Sequence, residues 1–186
     1  MLSDSDFSYV QKNFASGKEG SIHIINVNGT NAILKQFKKT KSPNRVRREA
    51  DFQLAAFHAG VAPEPFAIDL KLKRIYMCGI QSRLRDIAKQ RNPPALTANE
   101  QMQIVLCMKK LDSIGILHND GNCLNVMCQY ENGENRIYII DYGLAKQIDS
   151  KILRKTKTPN LKYTLEMMKR SFRHHGIKAW DNMIKK

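Results

Sequence analysis

The stretch Ile116–Lys146, ILHNDGNCLNVMCQYENGENRIYIIDYGLAK, decides how the chain is read. Two apolar runs, Val126-Met127-Cys128 and Ile137-Tyr138-Ile139-Ile140, flank the polar ENGEN. Asn132-Gly133 predicts a two-residue hairpin turn, because both central residues of such turns take positive φ. Asn125 and Asp141 lie equally far in sequence from Gly133, so a hairpin sets them side by side at its open end. One amide oxygen and one carboxylate oxygen then meet where a hard divalent cation can sit. Mg²⁺ accepts few protein ligands and takes the rest from water and phosphate. Taken alone, the hairpin reads first as a surface ribbon with polar ends, and the rest of the chain has to decide.

Upstream, Ile22–Val27 and Ala32–Phe37 flank Asn28-Gly29, a second hairpin signal. Ser42-Pro43 predicts an N-cap followed by proline at the first helical position. Val46, Ala50, Leu54 and Phe57 then recur at helical spacing, and Gly60 is the expected stop. FAIDL (66–70) and RIYMCGI (74–80) read as strands joined by a basic turn. From Gln81 the pattern turns helical. Thr97 and Glu100 form a capping box heading a helix whose Ile104, Val105, Met108 and Leu111 share a face, and Gly115 ends it. Beyond Gly143, Thr158-Pro159 starts one more amphipathic helix carrying Leu161, Leu165, Met168 and Phe172, and Trp180 anchors the tail.

A composition of 42% hydrophobic and 26% charged residues is that of a globular chain rather than a disordered one. The opening MLSDSDFSYV has no basic start followed by an apolar run, so no secretion signal is expected. No apolar run is long enough to span a bilayer. Cys78, Cys107, Cys123 and Cys128 form no Cys-x-x-Cys pair, which argues against a disulfide framework or zinc ribbon and for a reducing, cytoplasmic setting. The net charge of +14 gathers in KQFKKTKSPNRVRR, DLKLKR and KILRKTKTPNLK. Such surfaces attract nucleic acid, anionic membrane or acidic proteins, but aromatic residues do not interleave the runs as a base-stacking groove requires.

The chain resembles the protein kinase superfamily, in its eukaryotic-like Ser/Thr branch. HNDGNCLN (118–125) is similar to the catalytic loop H-R-D-L-x-x-x-N, with His118, Asp120 and Asn125 in register, and DYG (141–143) is similar to D-F-G. ASGKEGSI (15–22) resembles the Gly-rich loop, with Gly17 and Gly20 as its second and third glycines, and AILK (32–35) resembles V-A-I-K. Glu49, in the middle of the expected helix, is the natural partner for Lys35; Asp51 lies on another face. Five fragments in the right order, on the right kinds of element, carry the resemblance over roughly residues 14–146.

That resemblance implies an α+β, bilobal fold in one domain: a strand-rich N-lobe with one helix (about 1–79) and a reduced helical C-lobe (about 80–186). It implies ATP and Mg²⁺, with Mn²⁺ as a substitute, and transfer of the γ-phosphate to Ser or Thr of a protein substrate. Lys35 would bind phosphate oxygens, held by Glu49; Asn125 and Asp141 would carry the metal; Asp120 would orient the hydroxyl and accept its proton. His118 would support the catalytic loop. The nucleotide site implied comprises Gly17, Lys18, Glu19, Gly20, Ile22, Ala32, Lys35, Glu49, Met77 and Gly79.

There are departures. Ala15 replaces the loop's first glycine, Asn119 stands at the usual arginine and Asn122 at the lysine of Ser/Thr kinases. Only 43 residues follow Gly143, with no A-P-E, so the usual activation segment and distal helices are not expected. In this the chain is similar to truncated kinases of bacterial effectors and large DNA viruses, which would place it in a host cytoplasm with an acidic host protein as partner. No oligomeric state is implied. Three alternatives stay open: a small-molecule kinase of the same fold, a pseudokinase-type binding module with a basic docking face, and a nucleic-acid-binding protein supported by charge alone.

Overall fold

A computed structural model describes Ser3, residues 5–131 and residues 133–180. The architecture is α+β, and every sheet in it is antiparallel. The first part is a five-stranded sheet, ordered β1-β2-β3-β5-β4, from β1 (Ser8–Ser16), β2 (Gly20–Val27), β3 (Thr30–Phe37), β4 (Ala67–Asp69) and β5 (Arg74–Cys78). Asn28 and Gly29 both take positive φ, 50° and 83°, which is the turn expected between β2 and β3. Strand β1 carries no alternating apolar pattern, is exposed almost throughout, and pairs with β2 through two irregularities.

Helix α1 (Pro43–His58) crosses from β3 to β4, with Ser42 Oγ accepting from the Arg45 N–H and proline at its first position. Its buried stripe is Val46, Glu49, Ala50, Gln53 and Ala56. The sequence pattern had put Leu54 on that stripe, but Leu54 is exposed. The face turned to the sheet includes two polar residues, each with a partner there, so counting apolar residues alone rotates the stripe. Phe37, Val46, Ala50, Ile75 and Met77 form the core under α1, while Ile25, Ala32, Leu34 and Tyr76 pack on the opposite face of the sheet.

The second part opens with a two-residue strand, β6 (Ser82–Arg83), and a short helix, α2 (Leu84–Lys89). Helix α3 (Ala98–Ser113) has the capping box complete: Thr97 Oγ1 accepts from the Glu100 N–H, and Glu100 accepts from the Thr97 N–H. Strand β7 (Ile116–Leu117) follows, then the hairpin of β8 (Val126–Glu131) and β9 (Glu134–Ile139). Glu131 pairs with Glu134 and Val126 with Ile139, the register a two-residue loop demands. Gly133 has φ +86°; Asn132 lies outside the described residues. Beyond a single 3₁₀ turn come β10 (Lys146–Gln147), paired with β7, the four-residue α4 (Ser150–Leu153), and a wide helical turn leading into α5 (Leu165–His174).

This part shares one large core. Ile104, Met108 and Leu111 of α3 meet Ile137 and Ile139 of β9 and Leu165, Met168 and Phe172 of α5. Each such side chain contributes ~1.5–3 kcal/mol on burial. Trp180 is buried there, its backbone N–H donating to Gln101 Oε1 at 2.7 Å. Among the described residues no helix is long and apolar enough to cross a membrane.

Candidate functional site

A cavity of about 480 Å³ lies between the two parts. Its apolar walls come from Ile22 and Ile24 of β2, Ile33 of β3, Met77 of β5, and Leu124 and Met127 at the head of β8. Its polar end gathers Lys35, Glu49, Asn125 and Asp141, from β3, α1, the start of the hairpin and its finish. Alternation along β3 decides what faces it. Ile33 and Lys35 point in, and Ala32 and Leu34 point to the far side of the sheet. Ala32, expected to contact a nucleotide, therefore does not line the cavity, and Ile33 does.

Lys35 is 7% exposed, and an ammonium that deep needs counter-charge. Its Nζ donates to Glu49 Oε1 at 2.5 Å and to Asp141 Oδ1 at 2.9 Å. Burial disfavours the charged lysine, but the two carboxylates outweigh it and hold the pKa above the ordinary lysine value. Burial pushes the Glu49 carboxyl above its usual range, against the pull of Lys35, and the Asp141 charge adds to the rise. Glu49 Oε2 is buried with no hydrogen-bond partner among the described residues. Asp51 is exposed, which settles which acid of α1 meets the lysine. Asp141 is also partly buried, yet Lys35 and the Gly143 N–H hold its carboxyl below the usual carboxylate value.

Asp141 sits at φ 66°, ψ 76°, and Asn119 at φ 62°. Non-glycine residues held in this region cost of order 1–3 kcal/mol and concentrate at working sites. The hairpin makes the juxtaposition: Val126 pairs with Ile139, and the Ile140 N–H donates to the Asn125 carbonyl at 3.0 Å. Asn125 and Asp141 thus flank one end of the cavity, as the equal spacing about Gly133 requires. Asn125 Nδ2 donates to Asp120 Oδ2 at 2.9 Å, which leaves its Oδ1 uncommitted. Asp120 is half-buried beside the cavity rather than in its wall.

His118 is fully buried, and its Nε2–H donates to the Ile140 carbonyl at 3.0 Å. Burial lowers its pKa, so the ring is neutral, with Nδ1 bare and unpartnered among the described residues. It braces the segment before Asp141 against the loop that carries Asp120. Asn160, which the sequence did not single out, clamps that loop from below. Its Nδ2 donates to Asp112 Oδ1 and to the Ile116 carbonyl, and its Oδ1 accepts from the His118 N–H and the Thr164 hydroxyl. An asparagine just after Thr-Pro reads locally as a helix start; its role depends on contacts more than 40 residues away.

The Gly17–Gly20 segment is a tight turn, the Gly17 N–H donating to the Gly20 carbonyl at 2.9 Å. Gly17, Lys18, Glu19, Gly20 and Gly79 do not line the cavity; Phe14, Ala15, Cys78 and Ile80 do. Gly20 has its own packing reason, since a Cβ there would stand 2.0 Å from the Gln36 carbonyl. Glu19 turns to Lys41 and Arg45, at 2.9 and 3.1 Å. Asn122, too, is occupied: its Oδ1 accepts from the Leu124 N–H and lies 3.4 Å from the Ser171 hydroxyl.

The site therefore presents a buried cation between two carboxylates, an uncommitted amide oxygen and a further carboxylate just outside an apolar cavity. Among the described residues no group of three or more His, Cys, Asp or Glu side chains is arranged to hold a metal ion. No protein-family model matches the chain, and no curated protein matches it.

Proposed function

We propose that the chain is an ATP-dependent kinase of the protein kinase superfamily, bilobal in form, transferring the γ-phosphate to Ser or Thr of a protein. The observation that carries the reading is the bonding of Lys35 to both Glu49 and Asp141, across 14 and 106 residues of chain, at the polar end of an apolar cavity. A cavity of about 480 Å³ is of the size that holds a small cofactor. Ile22, Ile33 and Met77 offer flat apolar contact to a base, and Lys35 offers a cation to phosphate oxygens.

Mg²⁺ fits the donor set. The Asp141 side chain is 42% exposed, and Asn125, which lines the same cavity, spends its Nδ2 on Asp120 and has no partner for Oδ1 among the described residues. One carboxylate and one amide oxygen suit an ion that draws its remaining ligands from phosphate and water. When bound, Mg²⁺ with ATP supplies the transferable phosphoryl group with its charge neutralised. The chain's own work is positioning. Glu49 holds Lys35 at the phosphates; Asp120, its Oδ2 fixed by Asn125, uses Oδ1 to orient the acceptor hydroxyl. As the hydroxyl oxygen bonds to phosphorus and the bond to the ADP oxygen breaks, the hydroxyl proton passes to Asp120.

A small-molecule acceptor is the second reading. It is favoured by Asn122, whose amide is tied down beside Ser171 where a protein kinase keeps a free lysine. Incubation of the purified chain with γ-labelled ATP, Mg²⁺ and a cell lysate separates the two. Labelled protein bands, absent with Asp120→Asn, support the proposal; label confined to small metabolites selects the second reading.

A further inference from the structure

Asp120 is flanked by two surface segments. On one side Leu144 is exposed and its carbonyl accepts from Asn119 Nδ2 at 3.5 Å, and Lys146 stands opposite Leu117 in the β10–β7 pair. On the other, the Thr164 hydroxyl accepts from the Asn119 N–H, and Met167 lies against Gly121, where a Cβ would approach its side chain to 2.5 Å. Tyr163 and Met167 are exposed there. The chain joining the two flanks leaves beside Gly115, through the Ile148 N–H, and returns where Asn160 meets Asp112 and Ile116.

Residues 144–163 hold six cations, Lys146, Lys151, Arg154, Lys155, Lys157 and Lys162, and one acid, Asp149. All six are exposed, and none forms an ion pair among the described residues. The lone acid is spent at the head of α4, where its Oδ1 accepts from the Ile152 N–H at 2.8 Å. The other basic run differs, because Lys41 and Arg45 there already share Glu19. An unpaired block of positive charge beside the proposed catalytic carboxylate is complementary to one kind of acceptor.

We infer that this surface selects an acidic polypeptide, docking its apolar side chains on Leu144, Tyr163 and Met167 and its carboxylates on the Lys146–Lys162 cations. The inference rests on the kinase reading for the identity of the acceptor, but the docking is a separate event. Five residues part Gly115 from Asp120, so Gly115, where the basic segment departs, lies at most about 18 Å from it. A nucleic acid fits less well, since the exposed apolar groups are mainly aliphatic and a stacking platform needs rows of aromatic rings. A membrane fits less well too, because α4 has four residues and presents no extended amphipathic face.

The test uses three serine peptides alike except for Glu, Gln or Lys flanking the serine, assayed for phosphorylation and, fluorescently labelled, for binding by anisotropy. The expected result is a kcat/KM for the Glu peptide at least about tenfold above that of the Lys peptide, the gap narrowing as salt rises from about 0.05 to about 0.3 M. The triple variant Lys151→Glu, Arg154→Glu, Lys155→Glu should lose about tenfold on the Glu peptide, since exposed pairs are individually weak and three are reversed together. Turnover of the Gln peptide and ATP affinity should stay unchanged. Tight binding of the Glu peptide without phosphorylation keeps the docking surface and removes the kinase reading. No preference among the peptides, or equal loss on all three in the triple variant, overturns the inference. So does charge-sensitive retention of an RNA oligonucleotide or anionic vesicles without discrimination among the peptides.

Discussion

Lys35 and Glu49 hold opposite charges where neither could stand alone. Taking Lys35→Met leaves Glu49, 2% exposed, beside Asp141 with no counter-ion. Breaking a buried pair from one side costs about 3–5 kcal/mol, most of it the stranded charge. The single variant should therefore lose about 3 kcal/mol in urea unfolding at neutral pH, and Lys35→Met with Glu49→Leu should recover most of it. Burial and the Asp141 charge raise the Glu49 pKa against the pull of Lys35, and Lys35→Met removes that pull; the penalty of the single variant should therefore shrink as pH falls and Glu49 takes up a proton. Phosphate transfer should be lost in both variants. Equal stability of wild type and Lys35→Met would mean the pair is solvated and Glu49 does not position the lysine.

At the scale of elements, Glu100 ties three together. Its carboxylate, 1% exposed, takes both guanidinium branches of Arg91, the Thr97 N–H and Asn135 Nδ2 of β9. Burial raises its pKa, but the bonds from Arg91, Thr97 and Asn135 outweigh that and leave it below the ordinary 4.5. A depressed carboxylate stabilises above its unfolded value and loses that contribution as pH falls through the folded one. Glu100→Gln should cost about 2–3 kcal/mol at pH 7 and progressively less below 4.5, read by urea unfolding across pH. A gap independent of pH would show that the charge contributes nothing. The capping box was legible in the sequence because its partners are three residues apart. So were both hairpin signals and the Ser42-Pro43 start, which depend on φ preferences of adjacent residues. Strands β1, β6 and β10 were not. Strand β1 is an exposed edge without alternation, and the other two have two residues each and exist only through distant partners. Leu54 was misplaced because the buried face of α1 carries Glu49 and Gln53, polar residues that a hydrophobic pattern skips; Ala32 was carried over from the motif, and strand alternation turns it away from the face that holds Lys35. Lys35, Glu49, Asn125 and Asp141 were readable from motif order, whereas Asn160 and the occupied state of Asn122 required contacts across more than 40 residues.

Across the whole molecule, the segment after Asp141 is short and held at several points. Tyr142–Leu144 forms a 3₁₀ turn, β10 pairs with β7, and Asp149 caps α4. The position before Asp120 holds Asn119, which bonds the Leu144 carbonyl and carries no charge to receive a phosphate. If the chain transfers phosphate as proposed, phosphatase treatment should change the rate by less than about twofold, since Asn119 offers no charge to draw a phosphorylated segment toward Asp120. A loss restored by rephosphorylating Ser150, Thr156 or Thr158 would contradict that. The proposed function requires the cavity between the two parts to hold ATP with Mg²⁺ against Lys35, Asn125 and Asp141. Calorimetric titration of ATP into the chain, with Mg²⁺ and then with a chelator, tests it most directly. One site is predicted, weakened at least about tenfold by the chelator and by Asp141→Ala, as loss of one of two protein oxygens on the ion requires. No binding, or binding indifferent to both the chelator and Asp141→Ala, would contradict the account.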